Sequence, residues 1–337
     1  MQDITGRTID YMRISITDRC NLRCRYCMPD GVECVPMADI LTFEEIHRVA
    51  AAAAGLGIRH IKVTGGEPLV RRGCCSLIKM LKETPGIEKV TITTNGILLD
   101  QYLDELMEAG IDGINISLDT LNARLYRELT GGGHIGKVLD SIRRASALSV
   151  PVKINAVSLD LKDFAAKRNI TIADDGDWKG VLKLARQYPV DVRFIEMMPI
   201  GYGRDFQTIN HQELIEEIRR MYPAMTEDHR IHGFGPAVYY QIPGFLGSLG
   251  LISAIHGKFC SDCNRVRLTA MGHLKPCLCY ESGADLRPVL RCSDSADIAE
   301  ARLQDMIRET VFHKPNAHCF DQPEAITERH NMVAIGG

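Results

Sequence analysis

Cys20, Cys24 and Cys27 are separated by three and then two residues in the run Cys20-Asn-Leu-Arg-Cys24-Arg-Tyr-Cys27. Three thiolates at that spacing can wrap one face of a four-iron cube and satisfy three of its irons. The fourth iron keeps an open position, which is what a reacting molecule needs. A structural zinc site calls instead for four ligands in a closed tetrahedron, and no histidine or fourth cysteine stands close, Cys34 being the nearest. A second set, Cys260-Ser-Asp-Cys263 and then Cys277 after thirteen intervening residues, allows two readings. With Cys279 it makes a four-thiolate zinc ribbon; without Cys279 it is again three thiolates and one open iron. Cys34, Cys74, Cys75, Cys292 and Cys319 lack metal spacing and are expected as small buried apolar residues.

Three further runs carry polar chemistry. In Thr64-Gly65-Gly66-Glu67-Pro68, paired glycines let the backbone approach a ligand and offer N–H groups, while the carboxylate can accept from an ammonium. A tight strand-to-helix turn is the plain alternative. Thr93-Thr94-Asn95-Gly96 and Asn115-Ile116-Ser117-Leu118-Asp119 also end apolar runs. Gly131 to Lys137 matches the start of a phosphate-binding loop, but Val138 replaces the hydroxyl residue that would hold magnesium. A flexible loop opening a helix is expected there.

The elements that must position these residues alternate. Strands are expected at 12–16, 60–63, 90–93, 113–117, 152–157 and 192–195, with amphipathic helices between them. Thr42 and Glu45 form a capping box before the stripe Ile46, Val49, Ala50, Ala53, and Asn210 opens another helix. Six β/α units imply a parallel sheet, as an incomplete barrel or an open doubly wound sheet. In a parallel barrel, strand ends converge on one face, where active sites are built. Beyond about residue 225 the pattern changes to paired antiparallel strands with clustered cysteines, giving expected regions 1–225 and 226–337. The charge-free stretch Phe234 to Ile255 is broken by Pro236, Pro243 and several glycines. It suits two strands, 237–242 and 249–254, rather than a membrane span.

Composition narrows the class. The 337 residues are 45% hydrophobic and 25% charged, with a net charge of −3. Such a balance excludes a strongly basic nucleic-acid or membrane-surface protein. The first twenty residues are too polar for a secretory leader. Twelve cysteines in such a chain read as metal or redox ligands, implying a reducing cytoplasm.

The cysteine triplet, Gly65-Gly66-Glu67-Pro68 and the β/α order together resemble the radical S-adenosylmethionine (SAM) superfamily. Arg13-Ile-Ser-Ile-Thr-Asp-Arg-Cys20, Arg193-Phe-Ile-Glu-Met-Met-Pro199, Phe259-Cys-Ser-Asp-Cys-Asn-Arg-Val-Arg-Leu268 and Ile335-Gly336-Gly337 narrow the resemblance. Over nearly the whole chain it is similar to the GTP 3′,8-cyclase family of molybdenum cofactor biosynthesis. This implies an α/β fold, an incomplete (β/α)6 TIM-type barrel whose open side is covered by a C-terminal iron–sulfur region. It implies two [4Fe–4S] clusters, on Cys20, Cys24 and Cys27 and on Cys260, Cys263 and Cys277. The first would hold SAM, lined by Tyr26, Gly66, Glu67, Ser117, Asn155 and Met198. The second would contact the guanine of GTP. A SAM-derived 5′-deoxyadenosyl radical would abstract H-3′ of GTP, and the C3′ radical would attack guanine C8, giving 3′,8-cyclo-7,8-dihydroguanosine triphosphate.

A triphosphate carries about four negative charges, so its pocket must supply cations and forked donors. The resemblance assigns this to Arg13, Lys62, Thr93, Lys153, Arg193, Arg265, the Val266 backbone and Arg267, and brings the tail residues Gly336 and Gly337 toward the active site. It also implies an external one-electron donor, a homodimer, and hand-over of product to cyclic pyranopterin monophosphate synthase, with no nucleic acid or membrane partner. Three features depart from the family pattern. Lys62 stands where arginine is usual; Ser158 to Trp178 is about ten residues long in excess, polar, and expected as a surface insertion; and Cys279 is extra. The rival readings are a radical SAM enzyme acting on a peptide or tetrapyrrole, and a non-catalytic iron–sulfur or zinc protein.

Overall fold

Alternation along the strands decides the architecture. The computed structural model describes residues 1–31, 35–172 and 177–335. Six strands come first: β1 (Tyr11–Ser15), β2 (His60–Thr64), β3 (Lys89–Thr94), β4 (Ile114–Ser117), β5 (Val152–Val157) and β6 (Val190–Ile195). Met12, Ile14, Ile61, Val63, Val90, Ile92, Ile116, Ile154 and Val192 are all buried in the main apolar core. Successive side chains on a strand point to opposite faces, so the intervening Arg13, Lys62, Thr93, Ser117, Lys153 and Arg193 share the other, concave face. Small β/α barrels usually fill that face with branched apolar residues. Here it is polar and cationic, which keeps it for a ligand rather than a core.

Six more strands follow: β7 (Thr226–Glu227), β8 (Val238–Gln241), β9 (Leu249–Ile252), β10 (Arg265–Leu268), β11 (His273–Lys275) and β12 (Ala284–Asp285). All twelve join one sheet in the order β12-β11-β10-β1-β2-β3-β4-β5-β6-β9-β8-β7. Strands β1 to β6 pair in parallel, in chain order. The antiparallel pairing expected late in the chain is present in β7–β8, β8–β9, β10–β11 and β11–β12. Two of those late strands do more: β10 lies parallel to β1, and β9 parallel to β6. The parallel run therefore has eight strands, and β9 and β10 are at its two ends without pairing to each other. This is a partial barrel, and the C-terminal region extends both of its edges.

Local signals act as the chemistry requires. Thr42 accepts from the Glu45 N–H at 3.2 Å while Glu45 accepts from the Thr42 N–H at 2.8 Å, opening helix Phe43–Gly55. Asn210 caps helix His211–Met221. The segment from Ser158 is not a detached polar insertion in its described parts. Leu159, Leu161, Ala165 and Ile170 pack with Leu125, Leu129 and Met197 in a second apolar cluster. Its charged residues disguise an apolar stripe too short to register as a helix. Among the described residues, no helix is long and apolar enough to cross a membrane.

Candidate active site

The loop Cys20–Cys27 leaves the end of β1 and is held from below by a glycine run. Arg23 N–H donates to Thr130 O at 2.8 Å and Arg25 N–H to Leu129 O at 2.9 Å. A Cβ on Gly131, whose φ is +69°, would stand 2.7 Å from Arg23 O. The sequence resembling a phosphate loop is thus the shelf on which the cysteine loop sits, and it opens helix Ile135–Ala145. Gly65 and Gly66 serve the same loop from the other side: Cβ atoms there would meet Thr17 O at 2.5 Å and Arg19 O at 2.4 Å. Of the two glycine N–H groups read as available to a ligand, that of Gly66 donates to Thr17 O, and the next, Glu67 N–H, donates to Arg19 O.

Glu67 is fully buried and accepts from Leu69 N–H at 3.0 Å, Thr94 Oγ1 at 2.8 Å and Asn95 N–H at 2.6 Å. Burial lifts its carboxyl to about 7 against these donors. Its geometric effect is to fix Asn95, whose side-chain amide donates to Cys20 Sγ at 3.7 Å.

Six cysteines line one cavity of about 340 Å³: Cys20, Cys24 and Cys27 from the first set, Cys260, Cys263 and Cys277 from the second. That volume lies in the ordinary range of about 300–1,000 Å³ for small-molecule sites. Backbone and side-chain donors are aimed at the sulfurs, as second-shell groups are in iron–sulfur sites. Leu22 N–H approaches Cys20 Sγ at 3.4 Å, His318 N–H approaches Cys260 Sγ at 3.4 Å, and Arg265 reaches Cys263 Sγ at 4.0 Å. Burial pushes the Cys27 thiol up to about 12. Cys263 differs: burial raises it, but Arg265 and Lys314 together bring it down to about 7. Among the described residues no three His, Cys, Asp or Glu side chains close round a single ion. The zinc-ribbon reading therefore loses its fourth ligand. Cys279 is fully buried, is absent from the cavity wall, and faces Cys319 instead. Three thiols in each set match in number the donors of a four-iron cube that keeps one iron open.

Between the two cysteine sets the concave face is positive. Arg267, Arg13 and Lys62 occupy one register row across β10, β1 and β2. Lys153 and Arg193 continue the charge on β5 and β6, and Arg265 lies opposite Tyr11. Burial and the neighbouring cations lower Lys62 well below the usual lysine value, Arg13 to about 10 and Lys153 to about 8. Among the described residues, Lys62, Lys153, Arg193 and Arg265 make no salt bridge with any carboxylate. Arg193 instead donates to the side-chain oxygens of Asn155 and Asn115. Nature rarely buries cations together without anions. Lys62, Lys153, Arg193 and Arg265 together suit an anionic ligand.

Comparison with known proteins agrees. Residues 14–165 match the Radical SAM superfamily, and residues 190–320 match Molybdenum Cofactor Synthesis C. A protein named GTP 3′,8-cyclase from Clostridium perfringens (strain SM101 / Type A) is 40% identical over 338 residues, covering 100% of both chains. The chain belongs to the GTP 3′,8-cyclase family. A family member from Geobacter sulfurreducens is 39% identical over 339 residues, covering 99% of each chain. In fold, this family member is similar to Streptococcus suis SuiB bound to S-adenosylmethionine. There the TM-score is 0.63 at 13% identity, with 97% of this chain and 77% of that chain covered. Native anSMEcpe with bound AdoMet gives a TM-score of 0.56 at 14% identity, covering 92% and 82%. At those identities the likeness concerns the fold alone.

For this GTP 3′,8-cyclase family member, the cavity wall gathers all six cysteines and most of the other expected residues. Tyr26, Gly66, Ser117, Asn155 and Met198 are on it, as are Arg13, Thr93, Arg265 and Arg267. Lys62, Glu67, Lys153, Arg193 and Val266 are not. Val266 turns its side chain into the core with no exposure, so only its backbone borders the arginines. Gly336 and Gly337 lie outside the described residues, as does Cys34. Sequence reasoning missed Lys314 and His318. Lys314 is buried and donates to Arg265 O at 2.9 Å, beside the second cysteine set. Both residues come from an irregular run with no periodicity to mark it. Asp119, noted only as a strand end, accepts from Tyr26 Oη at 2.6 Å and Val157 N–H at 2.8 Å.

Proposed function

We propose that this chain is a GTP 3′,8-cyclase acting in molybdenum cofactor biosynthesis, on GTP and with SAM. The single observation that carries the reading is the cationic concave face beside the cavity that six cysteines line, where Lys62, Lys153, Arg193 and Arg265 form no salt bridge among the described residues. A triphosphate concentrates about four negative charges on adjacent groups, which calls for such a cluster more strongly than the dispersed carboxylates of a peptide or a tetrapyrrole. When bound, SAM and the [4Fe–4S] cluster of the radical SAM family supply the 5′-deoxyadenosyl radical that starts ring closure from C3′ of the ribose to C8 of guanine.

The chain's own residues bind and orient. Cys20, Cys24 and Cys27 hold one cluster, with Tyr26, Gly66, Ser117, Asn155 and Met198 around SAM. Glu67 acts by position, holding Asn95 against Cys20. Cys260, Cys263 and Cys277 would hold the second cluster, which would contact the guanine. Arg13, Lys62, Lys153, Arg193, Arg265 and Arg267, with Thr93 and the Val266 backbone, take the triphosphate. Orientation matters because a fixed near-attack geometry replaces an entropic barrier of about 7–11 kcal/mol. The walls contributed by Ile195, Ile252 and Phe320 exclude water from a reactive carbon centre.

In this reading residues 1–225 form the SAM barrel, and residues 226–337 form the auxiliary-cluster and GTP region, with Gly336 and Gly337 reaching toward the site. The protein works in the cytoplasm as a homodimer, takes electrons from an external one-electron donor, and hands its product to cyclic pyranopterin monophosphate synthase. The test is anaerobic incubation with GTP, SAM and a chemical reductant, followed by mass analysis of the nucleotide. A nucleotide isomeric with GTP, formed together with 5′-deoxyadenosine, is expected. SAM cleavage without any change to GTP would sink the reading.

A further inference from the structure

We propose that Cys279 and Cys319 form a redox-active thiol pair outside both ligand sets. The pair closes to a disulfide on exposure to a low-molecular-weight disulfide such as oxidised glutathione. The two Sγ atoms stand 3.1 Å apart although forty residues separate them in the chain. Cys319 N–H donates to Cys279 Sγ at 3.3 Å, so the backbone of one partner already points at the sulfur of the other. A disulfide needs sulfurs about 2.05 Å apart, so closure asks for a movement of about 1 Å, within reach of two χ1 rotations.

Position separates this pair from the metal ligands. Cys277 is on the cavity wall, whereas Cys279 and Cys319 are not. Both belong to an apolar cluster with Ile200, Leu278, Phe320 and Ile335, against which Cys277 also packs. Each partner nonetheless adjoins a ligand. Cys279 is two residues beyond Cys277, and His318, next to Cys319, donates its N–H to Cys260 Sγ. A bond here would tie the loop carrying Cys277 to the segment that covers Cys260.

Exposure sets the order of events. Cys279 is fully buried and Cys319 only partly so, hence the oxidant meets Cys319 first. The Cys319 thiolate attacks one sulfur of glutathione disulfide; that S–S bond breaks, and one glutathione thiolate leaves with the electron pair. Cys279 Sγ then attacks Cys319 Sγ, the mixed S–S bond breaks, and the second glutathione leaves as a thiol carrying the proton that Cys279 gives up. Two protein thiols are oxidised by two electrons, and one glutathione disulfide is reduced to two thiols.

The experiment uses the cluster-loaded holoprotein under strict anaerobiosis, equilibrated across a series of reduced-to-oxidised glutathione ratios. Samples are quenched in acid, alkylated and mapped by mass spectrometry, with iron counted in parallel. The expected result is a peptide pair linked through Cys279 and Cys319, reversed by dithiothreitol, in protein that keeps its iron. Cys279→Ser should arrest at a glutathionyl group on Cys319, and Cys319→Ser should give neither product. The proposal is overturned by any of three results: both thiols alkylated at every ratio in iron-replete protein, a link from either cysteine to Cys260 or Cys277, or a link that forms only after iron is lost. Since nucleotide turnover is not read, failure here is distinct from failure of the cyclase assignment.

Discussion

Lys153→Met should make the ligand-free protein more stable and the nucleotide complex weaker. Lys153 lies on β5, in register with Asn115 and Asp191. Burial first, and then Arg193, lowers its ammonium from 10.5 to about 8, with Asp191 pulling the other way. At about 1.36 kcal/mol per tenfold change in proton affinity, the drop from 10.5 to about 8 means that keeping Lys153 charged at pH 7 costs the fold about 3 kcal/mol. The sign follows from proton counting. The folded value is the lower one, so between about 8 and 10.5 the unfolded chain binds more protons and stability rises with pH. Below about 8 the penalty is present in full. Methionine keeps most of the side-chain volume and removes the charge. Anaerobic denaturation at pH 7 should therefore show a gain of about 3 kcal/mol, shrinking toward pH 10. Titration calorimetry with GTP should show the opposite effect, a loss of about 1.5–3 kcal/mol or about 10- to 150-fold in affinity, from one missing charged contact. A variant less stable than the parent at pH 7, with equal iron content, would refute the reasoning, as would unchanged GTP affinity.

Other perturbations probe other parts of the site. Cys24→Ala should lower iron from about eight to about four per chain and abolish 5′-deoxyadenosine formation; normal 5′-deoxyadenosine yield would contradict the ligand assignment. Lys275 and Glu328 form a buried ion pair at 2.5 Å behind Cys277. Lys275→Met should cost about 3–5 kcal/mol by denaturant titration, and Lys275→Met with Glu328→Leu should recover most of it. The Glu328 carboxyl is held below its usual value by Lys275 and His330 against the opposing effect of burial. Its contribution is thus present at neutral pH and is lost as pH falls through the folded value; an acid limb unchanged in Glu328→Gln would contradict this. Arg7 donates to Cys260 O at 2.7 Å and Pro315 O at 2.7 Å while paired with Asp3 at 2.6 Å. Arg7→Ala should alter the electron paramagnetic resonance of the second cluster and leave that of the first unchanged; identical spectra would show that Arg7 does not position that loop.

Much of the site was legible because its chemistry is local in the chain. Cysteines at fixed spacing, a glycine pair before a glutamate, and arginines alternating on one short strand all declare themselves within a few residues. The strands were equally legible: apolar residues at every second position mark a half-buried strand whatever lies around it. The capping box at Thr42 and Glu45 needs only four residues to form. The family resemblance then added what local chemistry cannot, namely which ligands those motifs serve.

Tertiary structure decided the rest, because it depends on which distant segments meet. Nothing near Val266 or Leu251 says that β10 will pair with β1 and β9 with β6, since pairing partners are chosen by the whole sheet. That choice puts the second cysteine set across a cavity from the first and completes the row Arg267, Arg13, Lys62. Spacing alone left Cys279 balanced between ligand and bystander; in the fold it faces Cys319, forty residues away, and is absent from the cavity wall. Glu67 and the N–H groups of its glycine turn read as ligand contacts in the sequence. In the fold their partners are Thr17, Arg19, Leu69, Thr94 and Asn95, because only three-dimensional packing fills a hydrogen-bonding group.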